Sequence, residues 1–142
     1  MPFLRLLLID SHQGFRESAR KYLLRCPDFS NVEIAASYNE GMLLSAKYFP
    51  DLLLIDREIL FENQALIKEI EKLKQANPSL DVLLLFLFRE EDINCYQELL
   101  PLVSGIIIKE SFAEDLFEYM AAEKKHFAGS QDSSCKGVDQ CN

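Results

Sequence analysis

PDLLLID, residues 50–56, is the stretch on which the fold turns. Pro50 and Asp51 open it, four consecutive Leu and Ile residues follow, and it stops on a carboxylate, Asp56. Unbroken apolar runs of this length mark strands covered on both faces, as in parallel sheets. An acid at the tip of an otherwise dry strand is the first sign of a site. Two other stretches repeat the pattern: LRLLLID, residues 4–10, ends on Asp10, and GIIIK, residues 105–109, ends on Lys109. Three buried-type strands thus each deliver one charge at the carboxyl end, where open parallel sheets hold their ligands.

The segments between these strands carry helical spacing. Phe15, Ala19, Tyr22, Leu23 and Cys26 form an apolar face that Pro27 closes. A second strand is expected over residues 32–36. Asn39 is the expected cap of a helix that buries Met42, Leu43, Ala46 and Phe49 and ends at Pro50. After strand 50–56, residues 57–62 read as a loop, and Leu66, Ile67, Ile70 and Leu73 as the inner face of a helix stopped at Asn77 and Pro78. A very apolar strand over residues 82–88 comes next, then a helix from Asp92 to about Pro101, then the strand ending on Lys109. Ser111 and Glu114 have capping-box spacing ahead of a last helix that buries Phe112, Leu116, Tyr119 and Met120.

Strands alternating with helices predict an α/β domain, a doubly wound five-stranded parallel sheet. The flavodoxin-like order 2-1-3-4-5 is the simplest that puts the most apolar strands in the middle. It also lets Asp10, Asp56 and Lys109 share one pocket. The expected division is a domain over residues 1–128 and a flexible tail or linker start over 129–142, where little remains to bury.

The chain has 142 residues, enough for one ordinary domain with a core of its own. No apolar run approaches a bilayer span and no secretory signal is recognisable, so the expected address is cytoplasmic, with no membrane partner. The net charge of −8 argues against direct nucleic-acid binding by this segment, which needs Lys and Arg to neutralise phosphates. Cys26, Cys95, Cys135 and Cys141 match no common zinc or redox spacing and are read as reduced thiols.

LLLIDSHQGFR, AASYNEGMLLSAKYFPDLLLID and GIIIKESFAEDL, taken together, resemble the receiver domain of two-component response regulators of the kind whose output is a helix-turn-helix. The resemblance spans residues 4–127. It implies that Asp56 is a phosphoacceptor attacking a phosphohistidine, that Lys109 contacts a phosphoryl oxygen, and that a magnesium ion (Mg2+) is held by Asp10, Asp56 and the backbone carbonyl of Glu58. The implied partners are a sensor histidine kinase or phosphotransfer protein and a downstream effector, with a second copy of the chain as a further candidate.

The departures from the family pattern are specific. Ser11 stands where a second acid is usual, Phe86 where a hydroxyl donor is usual, Ile106 where an aromatic switch is usual, and Leu60 where a proline is usual. The expected function is therefore an atypical receiver that accepts phosphate at Asp56 weakly if at all. A phosphorylation-independent scaffold, in which Asp56 and Lys109 form only a structural ion pair, is the alternative; a small-ligand binder on the same fold is a weaker one. His12 is read as a rim residue rather than a metal ligand, Ser11 as a helix cap, and Glu90, Glu91 and Asp92 as favourable placement at a helix start. Neither a glycine-rich phosphate loop nor a nucleophile with an adjacent base is recognisable, so turnover of a metabolite is not expected.

Overall fold

The computed structural model describes residues 4–87 and 102–131, with side chains described up to residue 123. The expected fourth helix, the acids Glu90, Glu91 and Asp92, Phe88, Tyr96, Pro101 and the tail beyond residue 131 lie outside the described residues.

The elements are β1 (Leu4–Ile9), α1 (Gln13–Leu24), β2 (Phe29–Ala35), α2 (Tyr38–Tyr48), β3 (Leu52–Asp56), α3 (Arg57–Glu62), α4 (Gln64–Ala76), β4 (Asp81–Phe86), β5 (Gly105–Ile108) and α5 (Phe112–Gln131), the last entered through a short 3-10 turn, Lys109–Ser111. Every strand pairing is parallel and the order is β2-β1-β3-β4-β5. This is the doubly wound, flavodoxin-like sheet that the alternation of elements implied. Two compact units are distinguished, Met1–Glu110 with all five strands and Ser111–Asn142 with α5. Within α5, Phe112 and Leu116 are buried and Phe117 is exposed.

The three central strands are dry because each carries an unbroken apolar run: β3 is buried throughout, β4 from Val82 to Phe86, and β1 from Leu6 onward. Successive side chains of a strand point to opposite faces. Leu7, Ile9, Leu53, Ile55, Val82, Leu84 and Phe86 accordingly share one core cluster with Leu66 and Ile70 of α4 and with the half-buried Met42 and Leu44 of α2. The edge strand β2 is polar at Ser30, Asn31 and Glu33 and only half covered, which suits an edge.

Three local expectations are corrected. Residues 57–62 are not a loop: α3 starts directly from β3, and the carboxylate of Asp56 caps it by accepting the N–H of Glu58. The cap of α2 is Ser37 rather than Asn39; its hydroxyl accepts the N–H of Glu40, whose carboxylate in turn accepts the N–H of Ala36 at 2.7 Å. The buried face of α2 also differs, since Leu43 and Phe49 are 73% and 63% exposed while Gly41 and Ser45 are buried. The physical reason is proximity to β1. A Cβ added at Gly41 would meet Ile9 Cγ1 at 2.9 Å and Ile9 Cδ1 closer still, so the helix can lie this near the strand only through a residue without a side chain. Apolar size alone points to the wrong side of the helix.

Gly41→Ala is therefore expected to destabilise the fold by about 1–3 kcal/mol despite alanine's better helix propensity. Ile9→Val, which removes Cδ1, is expected to recover part of that loss when combined with it. Urea unfolding of the two single variants and the double variant reads the coupling; additive losses would contradict the contact.

Candidate functional site

The sheet order puts the carboxyl ends of β1 and β3 side by side, with β5 two places from β3. From those ends the three charges converge. Lys109 Nζ lies 2.6 Å from Asp10 Oδ2 and 2.8 Å from Asp56 Oδ1. Asp10 is 0% exposed, Asp56 3% and the Lys109 side chain 5%, so all three are held out of water.

Each is fixed by its own backbone. The amide of Asp10 donates to the carbonyl of Ala35 on β2 at 3.0 Å, and the carbonyl of Asp10 accepts from Arg16 Nη1 at 2.9 Å. Asp10 Oδ1 accepts the N–H of His12 at 2.8 Å, a local turn that leads the chain from β1 into α1. Asp56 is both the last residue of β3 and the N-cap of α3, with Oδ2 accepting the N–H of Glu58 at 3.1 Å. Lys109 follows β5 immediately, and its ammonium lies 4.9 Å from the centre of the Phe15 ring.

His12 belongs to the same cluster. Its Nδ1 is 3.2 Å from Lys109 Nζ and 3.1 Å from Asp10 Oδ1. Nδ1 thus faces an ammonium, which only donates, and a carboxylate, which only accepts, and the ring's tautomer decides which of the two it bonds. Two carboxylate oxygens and one imidazole nitrogen surround one ammonium. His12, not Ser11, is the N-cap residue of α1; it makes no side-chain cap bond, and Ser11 is exposed. Sequence reasoning set His12 aside. The signal that could have found it is an Asp-x-His step across a tight strand-to-helix turn, which brings the ring back over the carboxylate.

The positions that depart from the family pattern have ordinary packing roles. Phe86 is 1% exposed and belongs to the core cluster, and Leu60 is fully buried in α3. The guanidinium of Arg57, the residue after Asp56, lies 5.3 Å from the centre of the Phe86 ring and 5.6 Å from that of Phe61. Ile106 is half-buried in β5. Neither Phe86 nor Ile106 has a polar group to offer an incoming anion.

The donor set fits a divalent cation. Two carboxylates face one ammonium, which leaves one net negative charge in a nearly dry place, and like charges about 4 Å apart repel by about 4 kcal/mol at an effective dielectric of about 20. Asp10 Oδ2 has no aligned hydrogen-bond donor despite its burial, its contact with Lys109 being ionic only. Asp10, His12 and Asp56 each offer one ligand atom, all within 4.8 Å of one another. The carbonyl of Glu58 is the further oxygen that the family resemblance would add; the Glu58 group seen against the carboxylate is its N–H.

No family model matches the chain. The sheet order, with three charges meeting at the carboxyl ends of its strands, is the arrangement of the flavodoxin-like receiver fold. In sequence it is 30% identical over 115 residues to the transcriptional regulatory protein DegU of Brevibacillus brevis, covering 81% of this chain and 48% of that protein. The chain therefore spans about half the length of its curated relative. Among solved structures, the isolated receiver domain of RcsB from Salmonella enterica serovar Typhimurium superimposes with a TM-score of 0.68 at 20% identity, covering 87% of this chain and 90% of that one. A LuxR-family response regulator from Aurantimonas sp. SI85-9A1 gives 0.64 at 21% identity, covering 85% and 84%.

The ion cluster makes a stability test. Lys109→Met leaves two buried carboxylates without their cation and is expected to cost about 3–5 kcal/mol in urea unfolding at neutral pH. Asp56→Asn leaves one acid with one ammonium and keeps an oxygen to cap α3, so its expected change is within about 1 kcal/mol. Equal losses for the two variants would contradict the charge argument.

Proposed function

We propose that the domain is a signalling module of a two-component phosphorelay, in which Asp56 accepts a phosphoryl group to a reduced extent and output passes through protein contacts. The observation that carries this reading is the buried Asp56–Lys109 pair, 2.8 Å apart, with Phe86 where the family places a hydroxyl donor.

The phosphodonor is a phosphohistidine of a sensor kinase or phosphotransfer protein. An oxygen of Asp56 forms the new bond to phosphorus as the bond from phosphorus to the imidazole nitrogen breaks. The histidine keeps the electron pair, and the aspartate becomes an acyl phosphate. Phosphoryl transfer asks mainly for positioning and for neutralisation of charge spread over oxygens. Lys109 serves both needs: it is already at Asp56 Oδ1, and its ammonium can pass to a phosphoryl oxygen. Magnesium held by Asp10, Asp56 and the Glu58 carbonyl would supply two positive charges to the same oxygens. Ser11 subtracts a negative charge from that shell, which weakens the hold on a hard cation.

The reduced extent follows from what Phe86 lacks. A hydroxyl there would donate to the transferred group; an aromatic ring cannot, and this one is packed into the core. The effector that reads the domain is a protein partner or a further domain of a longer chain. The setting is the cytosol: among the described residues no helix is long and apolar enough to cross a membrane.

A phosphorylation-independent scaffold is the second reading, and one observation favours it. Both oxygens of Asp56 are already engaged, Oδ1 by Lys109 and Oδ2 by the Glu58 amide, so this carboxylate has its partners without a phosphoryl group.

Incubation with acetyl phosphate and magnesium, followed by intact mass, separates the two. Partial addition of one phosphoryl group is expected, abolished by Asp56→Asn and raised several-fold by Phe86→Thr, although that cavity is expected to cost about 3–5 kcal/mol of stability. Full occupancy of the unaltered protein would overturn the impairment. No addition under any phosphodonor would leave the scaffold reading.

A further inference from the structure

The magnesium expectation rests on oxygen ligands alone, and the cluster contains a nitrogen. We infer that His12 is a metal ligand, and that Asp10, His12 and Asp56 form a cradle selecting a borderline divalent cation of the nickel, cobalt or zinc type over magnesium. The inference deepens the cation-binding part of the proposed function and does not depend on phosphorylation of Asp56.

The ammonium of Lys109 shows where a cation is welcome. Asp10 Oδ2, Asp56 Oδ1 and His12 Nδ1 stand 2.6, 2.8 and 3.2 Å from Nζ, three metal-ligand atom types gathered around one positive charge. Asp10 Oδ2 is buried with no aligned hydrogen-bond donor, and the three ligand atoms lie within 4.8 Å of one another. Metal bonds of about 2.0–2.2 Å to nitrogen and oxygen require donor atoms no more than about 4.4 Å apart, so closing the cradle takes a contraction of a few tenths of an ångström. His12 can supply it, because its side chain is half exposed and attached at a turn.

The choice of metal follows from the donors. Magnesium seeks oxygen and gives up water reluctantly. Imidazole suits nickel, cobalt, zinc and iron, and divalent affinity rises along the first row toward copper. Ser11 withdraws the carboxylate that would favour magnesium, and His12, one residue further on, contributes a neutral nitrogen instead. Lys109 opposes any divalent ion at this place by like-charge repulsion, so affinity is held down until its ammonium withdraws.

Isothermal titration with Mg2+, Mn2+, Co2+ and Ni2+, in the absence of any phosphodonor, tests this on the whole chain. Zn2+ is left out because soft thiol ligands such as the free Cys26 favour it most among these ions. His12→Ala is expected to weaken Ni2+ and Co2+ at least about tenfold while moving Mg2+ less than about threefold. Asp56→Asn is expected to weaken all four, and Lys109→Met to tighten all four. Bound Co2+ should show a visible absorption band that shifts on His12→Ala, which reads ligation even if the variant loses stability. Equal effects of His12→Ala on every metal, or an unchanged cobalt spectrum, would overturn the inference. Acetyl phosphate labelling of Asp56 can fail with these results intact, and it can succeed with magnesium while His12 proves irrelevant, so the two readings fail separately.

Discussion

Two carboxylates share one ammonium. That unequal arrangement, Asp10 and Asp56 against Lys109 in a place nearly free of water, is the constraint around which the rest of the unit is built. Charges brought this close tolerate burial only when their partners are held in position, and here each is held by a rigid element: a strand end, a strand end that doubles as a helix cap, and the first residue after a strand. The parallel sheet is what makes the meeting possible. Its order turns residues distant in sequence into neighbours along one rim, and its apolar central strands exclude the water that would otherwise screen them.

The sheet was legible because its evidence is redundant. Leu52 to Ile55 and Val82 to Phe86 are apolar at every position, a pattern that an edge or one-sided strand does not produce. The edge strand is less legible: expected over residues 32–36, it begins at Phe29 and takes in the polar Ser30 and Asn31. The convergence of Asp10, Asp56 and Lys109 followed from topology once the strand ends were recognised. What failed was local. The face of α2 was misjudged because its closest approach to β1 runs through Gly41 and Ser45, residues that an apolar count ignores, while the larger Leu43 and Phe49 are left in solvent. α3 escaped notice because six residues carry no measurable period and its cap is the site carboxylate itself.

His12 illustrates a different limit. Its position in the sequence says only that a histidine follows an acid by two residues; what matters is the turn, fixed by the His12 amide bonding to Asp10 Oδ1, that folds the ring back toward Lys109. A backbone hydrogen bond, invisible in composition, decides whether that imidazole faces solvent or the charges. Phe86 and Arg57 are a comparable case. The ring lies in the core and the guanidinium lies over it, so the position where the family pattern has a hydroxyl carries instead an aromatic–cation contact beside Asp56.

The double duty of Asp56 makes its two oxygens chemically distinct. Oδ2 is tied to an amide of α3, which cannot retreat without unwinding the start of that helix, whereas Oδ1 is tied to the tip of a flexible four-carbon lysine stem. The carboxylate is therefore gripped unequally, by stiff backbone at one oxygen and by a pliant arm at the other.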